Sequence, residues 1–176
     1  QRQMCIRDRI YTVTGWNSAS GAKIPVDEVV PVFGGYCEAP WENHMNRLSP
    51  SPHYFFNRMR NDSAIGTDLI AKTQSDGWQL PYERYPFATC ELGGGIEVTH
   101  HRRPIIKPMD IYAVSLVKLG DGNNLVGYYM YHGGTNKIGE LSTFNETKAT
   151  GYPNDYPILS YDFQAPLSEY GEVREQ

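Results

Sequence analysis

The chain has no long apolar run, little cysteine and no excess of positive charge, and each shortage removes a class of function. Nowhere do its 176 residues approach the roughly 20 consecutive apolar residues of a bilayer-spanning helix. A formal net charge of −4 and an isoelectric point near 5.7 leave no basic footprint for nucleic acid. The one basic cluster, His100-His101-Arg102-Arg103, reads as a solvated loop or a partner for Glu97 and nearby carboxylates, ahead of a phosphate or sulfate site. Three cysteines cannot all pair with one another, and Cys37 and Cys90 read as free buried thiols, one in a loop and one inside a strand. No Asp or His stands beside Cys90 in sequence to make it a nucleophile. His44, His53, His100, His101 and His132 lack the spacing of metal ligands, so neither a metal nor another cofactor is expected. Internal repeats and low-complexity segments are missing too.

What is present is a globular balance, 40% apolar and 20% charged, with 13 tyrosines. That is enough to bury a sizeable core. Residues 87–90 and 125–130 are apolar runs of the length of strands buried on both faces. Between them Ile111, Val114, Leu116 and Leu119 stand at helical spacing, Gly120 at the place of a C-cap glycine, and residues 121–124 supply a turn. A strand, helix, strand unit of this length implies parallel pairing with a right-handed crossover. Working side chains in such sheets gather beyond the strand carboxyl ends, where Glu91 and residues 131–136 stand.

The expected fold class is α/β, part of a (β/α)8 barrel. A complete barrel takes about 250 residues, so this chain, with three convincing strands, is expected to be a fragment of one. Its first strand is residues 10–16, followed by a loop at 17–23 and an apolar stretch at 26–33 around Pro31. Residues 33–41 read as an aromatic-rich loop over the barrel mouth, 54–60 as a helical turn and 67–73 as a short helix. Gln1 to Arg9 reads as a translated sequencing-adaptor tail and is left out of the fold.

Glu91 is the candidate catalytic carboxylate. A Glu at a strand end is also a common loop charge, here with Arg102 or Arg103 as partner. Three features favour chemistry: Cys90 and Leu92 flank it with apolar bulk, residues 93–95 are all glycine and admit a ligand closely, and the tyrosines suit the apolar faces and hydroxyl rims of sugars.

Two motifs, Tyr-Met-Tyr-His-Gly-Gly-Thr-Asn at 129–136 and Ser-Tyr-Asp-Phe-Gln-Ala-Pro-Leu-Ser-Glu at 160–169, resemble glycoside hydrolase family 35, the retaining β-galactosidases. The resemblance implies the last three strands of the barrel, about six to eight, with Glu91 ending strand seven as the nucleophile. Thr-Gly-Trp at 14–16 offers a rival alignment, but Tyr11 occupies the place of its Glu, which assigns that segment to strand six and its loop. After Glu91 the chain departs from the family pattern, with Leu-Gly-Gly-Gly in place of an aromatic stretch, so Trp16 or Trp41 would supply that sugar wall. Tyr129 would line the pocket and hydrogen-bond near Glu91, with Tyr131, His132, Tyr161 and Phe163 as further sugar-binding residues.

The family's acid/base Glu follows an Asn at the end of strand four, which lies before this chain. Asn145-Glu146 is the only such pair here and reads as a solvated loop. The implied partner is a β-galactoside oligosaccharide or glycan, and the implied setting a secreted or periplasmic bacterial enzyme. A carbohydrate-binding scaffold without turnover, or a retaining β-glycosidase for another sugar, stands as the alternative.

Overall fold

The computed structural model describes residues 12–14, 28–39, 46–60, 62, 82–94, 98, 102–141, 143 and 159–175. Three strands lie parallel in chain order: β1 (Thr12–Thr14), β2 (Val30–Tyr36) and β3 (Thr89–Gly93). A fourth extended segment continues the series, since Ala88 bridges to Leu125 and Leu92 to Tyr128, both parallel. The amides of Thr89 and Leu92 donate to the carbonyls of Leu125 and Gly127 at 2.9 and 3.0 Å. Helix α1 (Pro108–Gly120) crosses from β3 to that segment, giving the parallel strand, helix, strand unit expected. Farther along, β4 (Gly134–Thr135) and β5 (Ser160–Tyr161) pair antiparallel.

Strand β2 corrects the sequence reading of residues 33–36, which are not a loop over the mouth; among the described residues the parallel series has four members. Pro31 and the Gly34-Gly35 pair look like loop signals, yet residues 31–36 are buried. Pro31 is tolerated because it stands near the start of the strand. Gly35 is required because the His53 ring packs on it: a Cβ there would come within 2.8 Å of Nδ1. His53 is itself held by Asp62, Nε2 to Oδ2 at 2.7 Å. The segment 125–130 differs as well, with Leu125 and Tyr128 exposed rather than buried on both faces.

The helical turn expected over 54–60 stands earlier, as a 3-10 turn at Pro52–Tyr54 capped by Ser51, after which Phe55 is extended and Arg58 takes a φ of 50°. The expected helix over 67–73 and the tail at 1–9 lie outside the described residues.

α1 begins at Pro108, with the Asp110 carboxylate accepting the Lys107 amide at 2.9 Å. At its other end Gly120 remains helical, and the left-handed residue is Gly122, φ 89°. The Gly122 and Asn123 amides donate to the carbonyls of Leu119 and Lys118, both at 3.0 Å, closing the last turn. The buried face is Ile111, Val114, Ser115 and Lys118, whereas Leu116 and Leu119 face outward. Ile111 and Val114 pack with Cys37 and Leu92 into one cluster between α1 and the sheet. Lys118 is buried with its ammonium 3.5 Å from Asp121, whose carboxylate also accepts the Asn57 and Arg58 amides at 3.3 and 3.1 Å. Burial lowers the Lys118 pKa against the pull of Asp121.

Candidate functional site

Glu91 is the third residue of β3 and stands opposite Gly34 of β2. Strand alternation decides where it points: Leu92 enters the cluster beneath α1, so Glu91 faces the other side of the sheet, away from the helix. The same alternation sends Cys37 under α1 and Tyr36 to the Glu91 side, and the Tyr36 hydroxyl donates a hydrogen bond to Glu91 Oε2. Arg102, a candidate partner by sequence, pairs instead with Glu38 and donates to the Asn46 carbonyl at 3.2 Å.

Tyr36 is buried, and burial, then the Glu91 carboxylate, then Tyr129, push its pKa well above the ordinary tyrosine value. It therefore keeps its proton at any working pH and serves Glu91 as a fixed donor. Burial followed by the Glu91 charge pushes the neighbouring Cys90 thiol up to about 12. Burial does the same for Cys37, up to about 12, with a hydrogen bond from Tyr54 working the other way. Both thiols are free and stay protonated at neutral pH, so neither competes with a carboxylate as nucleophile.

Tyr129 reaches the site because its amide donates to the Leu92 carbonyl at 3.1 Å, setting it beside the end of β3. The close approach of the two segments depends on Gly127, where a Cβ would fall 2.4 Å from the Thr89 carbonyl oxygen. Tyr129 and Tyr161 share a hydrogen bond between their hydroxyls. Phe163 meets Tyr129 edge-to-face at 5.2 Å and Tyr161 at a tilt, 4.3 Å between centroids. This aromatic corner is set by Asp162: Oδ2 accepts the Gln164 amide at 3.2 Å and Arg174 Nη2 at 2.6 Å, while Oδ1 accepts the Glu169 amide at 2.7 Å. The turn it pins holds Phe163 and Gln164 at φ 51°. Its tip lies against the end of β3, since a Cβ on Gly94 would come within 3.0 Å of the Phe163 carbonyl oxygen.

Of the residues singled out by sequence, Tyr129, Tyr161 and Phe163 thus form one cluster, and Tyr129 lies near enough to Tyr36 to raise its pKa. Tyr131 and His132 are exposed, with the Leu167 amide donating to the Tyr131 carbonyl at 3.0 Å and His132 bridged to Leu167. They sit with the 167–173 loop. Trp16, Trp41 and the Asn145-Glu146 pair lie outside the described residues. Sequence reasoning missed Tyr36 and Asp162. The first follows two glycines and reads as a turn; the second carries a usable signal, an Asp whose carboxylate closes the turn after it. Among the described residues no cluster of His, Cys, Asp and Glu could hold a metal, and no helix is long and apolar enough to cross a membrane.

The model of the family "Glycosyl hydrolases family 35" matches residues 23–176. "Beta-galactosidase 3" of Oryza sativa subsp. japonica is 41% identical over 86 residues, 48% of this chain and 9% of that protein. "Beta-galactosidase 10" of Arabidopsis thaliana is 39% identical over 69 residues, 39% of this chain and 8% of its own length. The matched stretch is thus under a tenth of either plant relative, and no solved structure matches the chain. With the family model spanning most of the chain, including β2, β3, α1 and the aromatic corner, the protein belongs to glycosyl hydrolases family 35.

Proposed function

We infer that this chain forms part of the (β/α)8 catalytic barrel of a retaining exo-β-galactosidase, with Glu91 as nucleophile, acting on terminal β-galactosyl residues of oligosaccharides or glycans. The observation that carries this is the Glu91 carboxylate, half-buried on the face of the parallel sheet away from α1 and held by the buried Tyr36 hydroxyl. A retaining mechanism needs an ionised carboxylate aimed at the anomeric carbon and a carboxylic acid roughly 5 Å away to protonate the leaving oxygen. The hydrogen bond from Tyr36 to Oε2 orients the carboxylate that would attack. Tyr129, Tyr161 and Phe163 provide an apolar wall with two hydroxyls at its rim, the amphipathic surface a galactose ring presents in mirror image. The acid/base carboxyl is expected from a strand outside this chain, as the family resemblance implies.

The test is covalent trapping of the full-length protein with a 2-deoxy-2-fluoro-β-galactoside, which slows breakdown of the glycosyl-enzyme, followed by mass spectrometry of the labelled peptide. Label on the peptide carrying Glu91 is the expected result. Label elsewhere, with good turnover of ordinary β-galactosides, would move the nucleophile; no turnover of any β-glycoside would leave a carbohydrate-binding scaffold.

A further inference from the structure

Beyond the aromatic corner lies a cavity of about 480 Å³ that the nucleophile and its tyrosines do not use. Its walls come from Val98, a few positions beyond Glu91 in sequence, and from the 160–174 segment. Phe163 belongs to both places: it meets Tyr129 and Tyr161, and it lines the cavity. Its turn touches Gly94, three residues beyond Glu91, so at about 3.3 Å per residue the cavity wall begins roughly 10 Å along the chain from the nucleophile. A volume of this size falls within the roughly 300–1,000 Å³ of small-molecule sites.

The chemistry of the lining says what fits. Asp162 and Glu169 are committed to the loop itself, the first to Arg174 and backbone amides, the second to the hydroxyls of Thr135 and Ser160. They shape the wall rather than recognise a ligand. Tyr170 and Glu172 are different: both are exposed, both line the cavity, and their side chains make no hydrogen bond or ion pair among the described residues. A free phenol ring beside a free carboxylate suits the C–H face and hydroxyls of a pyranose. The balance of three carboxylates against the single guanidinium of Arg174, already paired with Asp162, disfavours a sulfated, phosphorylated or sialylated unit.

We propose that this cavity seats the leaving-group sugar, a neutral pyranose attached to the galactosyl unit cleaved at Glu91, with Tyr170 as its stacking platform and Glu172 accepting its hydroxyls. The inference rests on the hydrolase reading above and adds a determinant of specificity to it. The test compares, in the full-length protein, kcat/KM for galactosyl disaccharides of the common linkages with kcat/KM for nitrophenyl β-galactoside, whose leaving group carries no sugar. Tyr170→Ala is expected to lower the disaccharide-to-nitrophenyl ratio about tenfold, chiefly through KM, the size of losing one good aromatic contact. Glu172→Gln should move the same ratio in the same direction. An unchanged ratio for every disaccharide, or an equal fall on both substrates, would overturn the subsite while leaving the hydrolase reading intact. Absence of turnover on both substrates by the unsubstituted protein would overturn the hydrolase reading and this inference together.

Discussion

Replacing Tyr36 by Phe removes one oxygen and leaves the ring in place. That ring is 3% exposed and ends against the Glu91 carboxylate, so the substitution deletes the donor without opening a large void. A hydrogen bond to a charged acceptor contributes about 1.5–3 kcal/mol. At about 1.4 kcal/mol per factor of ten, kcat/KM should fall about 10- to 150-fold. The loss should appear mainly in kcat, because the carboxylate's aim at the anomeric carbon is what is spoiled. The assay is initial-rate kinetics of the full-length protein on nitrophenyl β-galactoside, with the rate of fluorosugar labelling measured in parallel to isolate the glycosylation step. The raised pKa of Tyr36 adds a condition: the phenol remains protonated through neutral and mildly alkaline pH, so the ratio of variant to parent should be flat across that range. A folded Tyr36→Phe protein with kcat/KM within twofold of the parent would refute the positioning role. An alkaline limb in the parent that vanishes in the variant would show instead that Tyr36 titrates in the working range.

Tyr129→Phe breaks the hydroxyl pair with Tyr161 and should cost about 1–3 kcal/mol of transition-state stabilisation, read as a fall in kcat/KM; no change would remove Tyr129 from the pocket. Asp121→Asn keeps an acceptor for the Asn57 and Arg58 amides but strips the charge facing buried Lys118, so urea unfolding should show a loss of about 3–5 kcal/mol, and Lys118→Met, which leaves the buried Asp121 charge to those two amides alone, should also destabilise. Because the folded state lowers Lys118 below its ordinary 10.5, the unfolded chain holds more protons between the two values, and stability should rise with pH there; a rise that persists in Lys118→Met would assign it to another group. Gly127→Ala drives a Cβ to within 2.4 Å of the Thr89 carbonyl oxygen, so it should destabilise by about 1–3 kcal/mol or more, and a melting temperature equal to the parent's would show that the two segments separate easily.

The sequence by itself determined the parts governed by local periodicity and by short motifs. The 3.6-residue repeat around Ile111 and Val114 marked α1, the apolar run before Glu91 marked β3, and the helical crossover between the two apolar runs made the segments it joins parallel. The two motifs at 129–136 and 160–169 marked the aromatic corner and pointed to the family that the comparisons show. Tertiary structure alone decided what depends on neighbours distant in the chain. Pro31, Gly34 and Gly35 carry turn propensity, and only the sheet on both sides and the His53 ring beneath make them a central strand. The exposed side of α1 holds Leu116 and Leu119 while Lys118 is buried, because a carboxylate on the adjoining turn, Asp121, offsets the loss of water. Tyr36 and Glu91 are 55 positions apart in sequence, and their hydrogen bond exists because parallel pairing in register brings consecutive strand ends to one edge, where alternation turns both side chains to the same face.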